Sequence, residues 1–152
     1  MHIDILQAEQ GDLETILQLQ KECYLSEAEI YNNYEIQPLK QNIELLLQEF
    51  EKSVILKALM NGKIVGSIRG YKDNGTAYIG KLIVKNDCQN KGIGRMLLEE
   101  MELNFKDCNR FELFTGCKSQ KNLYLYDKLG YEEFKRQIVD EDVALIYLEK
   151  VK

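Results

Sequence analysis

The chain has a single histidine, His2, at the start of the sequence where fraying is expected, and a single proline, Pro38. With His2 the only imidazole, a Ser-His-Asp hydrolase is excluded, and a cysteine nucleophile would lack its usual base. The four cysteines, Cys23, Cys88, Cys108 and Cys117, contain no C-x-x-C pair. A zinc site needs about four Cys, His or carboxylate ligands at workable spacing, and none is expected. A chain of 152 residues needs no disulfide staples. Reduced thiols in a cytoplasmic protein are therefore expected. No apolar run approaches the roughly 18–20 residues needed to span a bilayer. "MHIDILQAEQGD" lacks a basic region followed by an apolar stretch, so no signal peptide is expected. Basic charge is also short. The formal net charge is −5, which opposes broad attraction to nucleic acid or anionic lipid. Any anion site must be local.

What is present is an ordinary globular balance, 45% hydrophobic and 30% charged residues. With no repeat, low-complexity stretch or linker, residues 1–152 are read as one domain.

Periodicity divides the chain into elements. "HIDILQAE" alternates as a strand. Asp12 can cap a helix to about Tyr24, with Leu13, Ile16, Leu17 and Tyr24 on one face. "LSEAEIYNNYEIQ" has no clean period and reads as loop or broken helix. Leu39, Ile43, Leu46, Leu47 and Phe50 recur at helical spacing from Pro38 to Lys52. "SVILKALM" and "KIVGSIRGY" flank Asn61-Gly62, a hairpin signal. "KDNG" is a second turn before "TAYIGKLIV". A helix over Gly92–Phe105 should bury Ile93, Leu97, Leu98, Met101 and Phe105. "RFELFTG" reads as a strand. Ser119 can cap a helix ending at Leu129, with Gly130 beyond it. "EEFKRQIV" and "VALIYLEKV" close a hairpin around "DED". The order β-α-α-β-β-β-α-β-α-β-β predicts an α/β or α+β fold with a mixed sheet.

One junction carries chemistry. In "QNKGIGRMLLEE", Gln89–Glu100, two glycines stand between a strand and a helix. Free N–H groups at a helix start favour anions, and glycine allows close approach. Lys91 and Arg95 add charge. No P-loop G-x-x-x-x-G-K-[ST] exists, and Leu97 stands where a Rossmann third glycine belongs.

Gln89-x-x-Gly92-x-Gly94 after "KLIV", followed by "NLYLYDKLGYEE" (Asn122–Glu133), resembles the GNAT family of N-acetyltransferases over nearly the whole chain. The resemblance implies a mostly antiparallel central sheet flanked by helices, and acetyl-CoA as acyl donor with no metal. It places the pyrophosphate on Gln89, Asn90, Lys91, Gly92, Ile93, Gly94 and Arg95. Leu82, Ile83 and Val84 would hydrogen-bond the pantetheine arm through their backbone. Asn122 falls in the second motif. Gln89 either positions the loop or is a solvated side chain. Tyr126 matches the family tyrosine that protonates the leaving thiolate, and a backbone N–H near Leu82 would polarise the thioester. Only about one lysine-like amine in 2,500 is neutral at pH 7, so a base is needed. The family glutamate position on the fourth strand is occupied by Tyr78, leaving Glu27, Glu29, Glu35, Glu112 or no single residue. The acceptor site falls in "YLSEAEIYNNYEIQPL", where Tyr24, Tyr31 and Tyr34 with Glu27, Glu29 and Glu35, and Tyr78 from the fourth strand, would line a site for a small-molecule or peptide amine. A non-catalytic acyl-CoA-binding module is the alternative. Monomer and homodimer both fit.

Overall fold

The computed structural model describes residues 2–141 and 143–152. One seven-stranded sheet runs in the order β1-β2-β3-β4-β5-β7-β6. Its strands are β1 (Ile3–Gln7), β2 (Val54–Met60), β3 (Lys63–Asp73), β4 (Thr76–Val84), β5 (Arg110–Gly116), β6 (Glu132–Asp140) and β7 (Val143–Val151). Every pairing is antiparallel except β4 with β5. The helices are α1 (Leu13–Tyr31), α2 (Gln37–Lys40), α3 (Ile43–Lys52), α4 (Ile93–Asn104) and α5 (Gln120–Lys128).

Local chemistry explains the hairpins. Asn61 and Gly62 take φ of 53° and 79°, and Asn74 and Gly75 take 51° and 80°. Two successive positive φ values match the right-handed twist of paired strands. Asp142 of the "DED" turn lies outside the described residues.

Two hydrophobic layers sandwich the sheet. Leu97, Leu98 and Met101 of α4 pack with Ile68, Ile79, Phe111 and Leu148. On the other face Leu13, Ile16, Leu46 and Ile55 pack together. The α4 stripe follows its sequence period.

Three helical expectations need correction. The first helix does not stop near Tyr24 but continues to Tyr31, where Asn32 closes it at φ 50° with its N–H on the carbonyls of Ala28 and Glu29. Residues 37–52 form two helices, because Gln41 is extended and Asn42 Oδ1 caps α3 at the Leu45 N–H, 2.9 Å away. Asp12 and Ser119 do not cap through their side chains. Asp12 accepts instead from the Glu9 N–H at 2.8 Å and from Lys57 Nζ at 2.7 Å.

Burial alone would raise the Asp12 pKa, but the Lys57 and Glu9 bonds outweigh it and hold the carboxyl below its usual value. A lowered folded pKa contributes stability above the unfolded pKa of about 3.9 and loses it as pH falls through the folded value. Asp12→Asn is expected to cost about 1 kcal/mol at pH 7, with the difference shrinking as pH falls below the unfolded value of about 3.9. Urea unfolding at pH 7 and below that value checks this.

Candidate functional site

Strands β4 and β5 pair only where Thr76–Tyr78 meet Arg110–Glu112. Beyond that they diverge and leave a V-shaped opening in the sheet. A bulge in β4 accompanies the divergence. Ser67 faces Ile83 and Arg69 faces Gly80, so Ile68 alone opposes Lys81 and Leu82. Lys81 takes φ 52°. A bulge bends the strand and leaves its extra residue outside the ladder.

A groove of about 640 Å³ runs along this opening, within the 300–1,000 Å³ range of small-molecule sites. Its floor is Leu82, Ile83 and Val84, and one end is the start of α4 with Gln89, Asn90, Gly92, Ile93, Gly94 and Arg95. One wall is α5 with its approach, including Lys118, Ser119, Lys121, Asn122 and Lys128. The other is α1, through Cys23, Tyr24, Ser26, Glu27 and Ile30. Of the sequence-predicted residues, Glu29, Tyr31, Tyr34, Glu35, Tyr78, Lys91, Glu112 and Tyr126 do not line it.

Gly92 stands just before α4 with φ 83° and no atom within 4 Å of a built Cβ. The left-handed conformation is what that position requires. A Cβ on Gly94 would touch Leu125, Leu82 and Val84 at 3.5–3.9 Å, ordinary contact. Gln89 links three parts of the groove: its Nε2 donates to the Val84 carbonyl at 3.2 Å, and its Oε1 accepts from Lys121 Nζ at 3.3 Å. Lys118, Lys121, Lys128 and Arg95 give the groove local positive charge within an acidic chain. Asn122 Nδ2 donates to Thr115 Oγ1 at 3.3 Å, tying α5 to β5.

Tyr126 lies beneath the groove on α5, only 5% exposed and 6.1 Å, centroid to centroid, from Tyr131. Burial, then the nearby Tyr24 and Glu27 charges, push its phenol up. Burial and Glu27 do the same to Tyr24. Both phenols stay protonated at neutral pH. Tyr131 donates to Glu102 Oε2 at 2.8 Å, a structural bond. Cys23 donates to the Val84 carbonyl at 3.4 Å, and burial raises its pKa to about 11, which makes it a poor nucleophile.

The acidic, tyrosine-rich lining differs from expectation. Ser119 Oγ donates to Glu27 Oε2 at 2.8 Å, and the Lys118 N–H donates to Tyr31 Oη at 2.8 Å. These bonds strap the end of α1 to the loop between β5 and α5. Glu35 is exposed and ion-paired with Lys40. Glu112 pairs with Arg110 at 2.9 Å. Tyr78 stacks on Tyr71 with centroids 5.3 Å apart. Of the candidate bases, Glu27, Glu35 and Glu112 are thus each engaged by a neighbouring side chain.

The strap is tight at Gly116, where a Cβ would overlap Tyr31 Oη. Gly116→Ala is expected to swing Tyr31 aside, cost about 1 kcal/mol and speed amide exchange at Lys118. In a Tyr31→Ala background the same change should cost almost nothing, because coupled positions are non-additive.

The mixed sheet splays over a bulge, and a helix start stands at one end of the opening, which leaves an elongated groove between diverging strands. The chain belongs to the acetyltransferase (GNAT) family, whose sequence profile matches residues 13–131. It is 30% identical over 99 residues to an uncharacterized N-acetyltransferase of Methanocaldococcus jannaschii, a match covering 61% of this chain and 64% of that protein. It is 27% identical over 132 residues to the UPF0157 protein YqkA of Bacillus subtilis, covering 86% of this chain and 38% of that one. The chain therefore spans less than two thirds of either relative's length. Its fold is similar to that of the PaiA N-acetyltransferase of Thermoplasma acidophilum, solved in complex with coenzyme A, with a TM-score of 0.84, 21% identity and full coverage of both chains. Among the described residues, no helix is long and apolar enough to cross a membrane.

Proposed function

We propose that the chain, as a single domain, is an N-acetyltransferase that moves the acetyl group of acetyl-CoA to a primary amine. The observation that carries this is the continuous groove from the α4 start, along Leu82–Val84, to Tyr24 and Glu27 above Tyr126. The α4 amides opened by Gly92, with Arg95 and Lys121, suit a pyrophosphate. The edge of β4 left free by the splay suits an extended pantetheine arm, held by main-chain groups.

The chemistry then follows. The amine attacks the thioester carbonyl, a C–N bond forms and the C–S bond breaks. The Leu82 N–H, turned out of the ladder by the bulge at Lys81, is assigned to the developing oxyanion. Tyr126 is assigned to give the departing sulfur its proton, and the proton that the acylated nitrogen releases returns the phenol to its neutral form. Among the described residues its hydroxyl makes no hydrogen bond and is not sealed as a buried unpartnered atom, so it is free to donate.

The test is release of free thiol from acetyl-CoA across an amine panel, with calorimetric titration of CoA alongside. Saturable turnover with at least one amine is expected. CoA binding with no turnover on any amine would instead assign the chain as an acyl-CoA-binding module, a reading favoured by Tyr78 standing where the family resemblance implies a glutamate base. Gly92→Ala is expected to cost about 1 kcal/mol of stability from left-handed strain and weaken CoA binding about tenfold. Gly94→Ala, which meets only ordinary contacts, should leave both near wild type.

A further inference from the structure

We propose that Lys81, backed by Arg69, forms an anion subsite on the acceptor side of the splay, and that the acceptor amine therefore carries a carboxylate. This rests on the acetyltransfer reading and names its acceptor class.

Lys81 differs from Lys57 and Lys150, two other half-buried lysines of the chain, in having no carboxylate partner. Lys57 sits on Asp12 at 2.7 Å and Lys150 on Glu102 at 3.0 Å. Among the described residues, no hydrogen bond or ion pair engages Lys81. It stands on the bulge directly before Leu82, whose side chain lines the groove. Gly80, its other neighbour, pairs with Arg69 across the ladder, so both belong to the sheet face under α1 and α3. A Cβ on Gly80 would meet nothing within 4 Å, so there is open space beside Lys81.

The charges around it do not balance. Arg69 is 4% exposed and donates to Gln20, to Gln41 at 3.1 Å and to Glu49 at 2.8 Å. Glu49 already accepts from both Arg69 and Gln41. Two cations thus share one carboxylate whose oxygens are both engaged, and Arg69 Nε is buried with no partner at all. Burial and the Arg69 charge disfavour the Lys81 ammonium, and Glu49 only partly offsets them. An uncovered cation here repels a purely cationic amine. A carboxylate on the acceptor would cover it, while the amine lies toward Tyr24 and Glu27 in the groove. A free amino acid and a peptide amine beside an acidic side chain both supply that chemistry.

The experiment compares matched acceptors: phenylalanine with phenethylamine, and a peptide beginning with glutamate with one beginning with glutamine. Each is assayed with the wild type, Lys81→Met and Lys81→Gly, the last suited to φ 52° and so protected against misfolding. The wild type is expected to favour the carboxylated member of at least one pair by tenfold or more in KM. Which pair responds separates the free amino acid from the peptide. Both variants should lose that preference, read as the ratio of KM between the two members of a pair, so that any change in kcat common to both members does not enter. In parallel, calorimetry with CoA present compares N-acetylphenylalanine and N-acetyl-glutamate with their amides, with the acids expected to bind about tenfold tighter only when Lys81 is present. Binding of acid and amide alike, or a preference that survives in both variants, overturns the subsite. Acid-selective binding without turnover of any amine leaves the subsite standing and overturns the acetyltransfer reading alone.

Discussion

Tyr126→Phe is expected to lower kcat about 100-fold while acetyl-CoA affinity stays within twofold of wild type. General acid catalysis contributes typically 10²–10⁴ in rate, so this loss corresponds to about 2.7 kcal/mol of barrier. The substitution removes one oxygen and keeps the ring that packs near Tyr131. Deleting a buried tyrosine hydroxyl normally breaks a hydrogen bond, but among the described residues Tyr126 makes none. Its melting temperature should therefore shift little, which separates a chemical role from a packing one. Burial keeps the phenol protonated, so wild-type kcat should not fall through its ionisation below about pH 10. Steady-state kinetics with CoA calorimetry and thermal unfolding check all three. A variant that turns over like wild type would remove Tyr126 from the mechanism.

Glu49→Leu is expected to be the most destabilising of the substitutions considered. It strips Arg69, whose side chain is 5% exposed, of its one carboxylate. Removing one partner of a buried ion pair costs about 3–5 kcal/mol. Glu49 itself is 35% exposed, and water softens the loss toward about 3 kcal/mol. At about 2–4 °C per kcal/mol for this chain length, the melting temperature should fall by roughly 6–12 °C. Adding Arg69→Met should recover part of it, since an apolar pair is often tolerated where a lone buried charge is not. Differential scanning calorimetry of the two variants decides it. A single variant melting with the wild type would mean that solvent, not Glu49, balances Arg69.

Features governed by neighbours in the chain were legible without coordinates. Asn61-Gly62 and Asn74-Gly75 specify hairpins because few residues other than Gly and Asn accept successive positive φ. The Ile93, Leu97, Leu98 and Met101 stripe specifies the buried face of α4. The Gln89–Gly94 motif announces a helix start suited to an anion. The extension of α1 to Tyr31 was hidden by its use: Cys23, Tyr24, Ser26, Glu27 and Ile30 face the groove, so the helix carries polar residues where a buried face would carry apolar ones.

Short-range sterics and periodicity thus determine the turns, the helices that pack on the sheet and the phosphate-type loop from the residue string itself. Which carboxylates remain open, and where charge is left uncovered, was decided only by tertiary folding. Ser119 meets Glu27 across 92 residues, Lys118 meets Tyr31 across 87, and Arg69 meets Gln20 across 49. The divergence of β4 from β5 follows a parallel pairing between residues 34 apart, and the bulge at Lys81 lies within the β3–β4 hairpin, between Ser67–Ile83 and Arg69–Gly80. No local spacing encodes such meetings, because they depend on how the whole sheet twists and which helix lies over which strand.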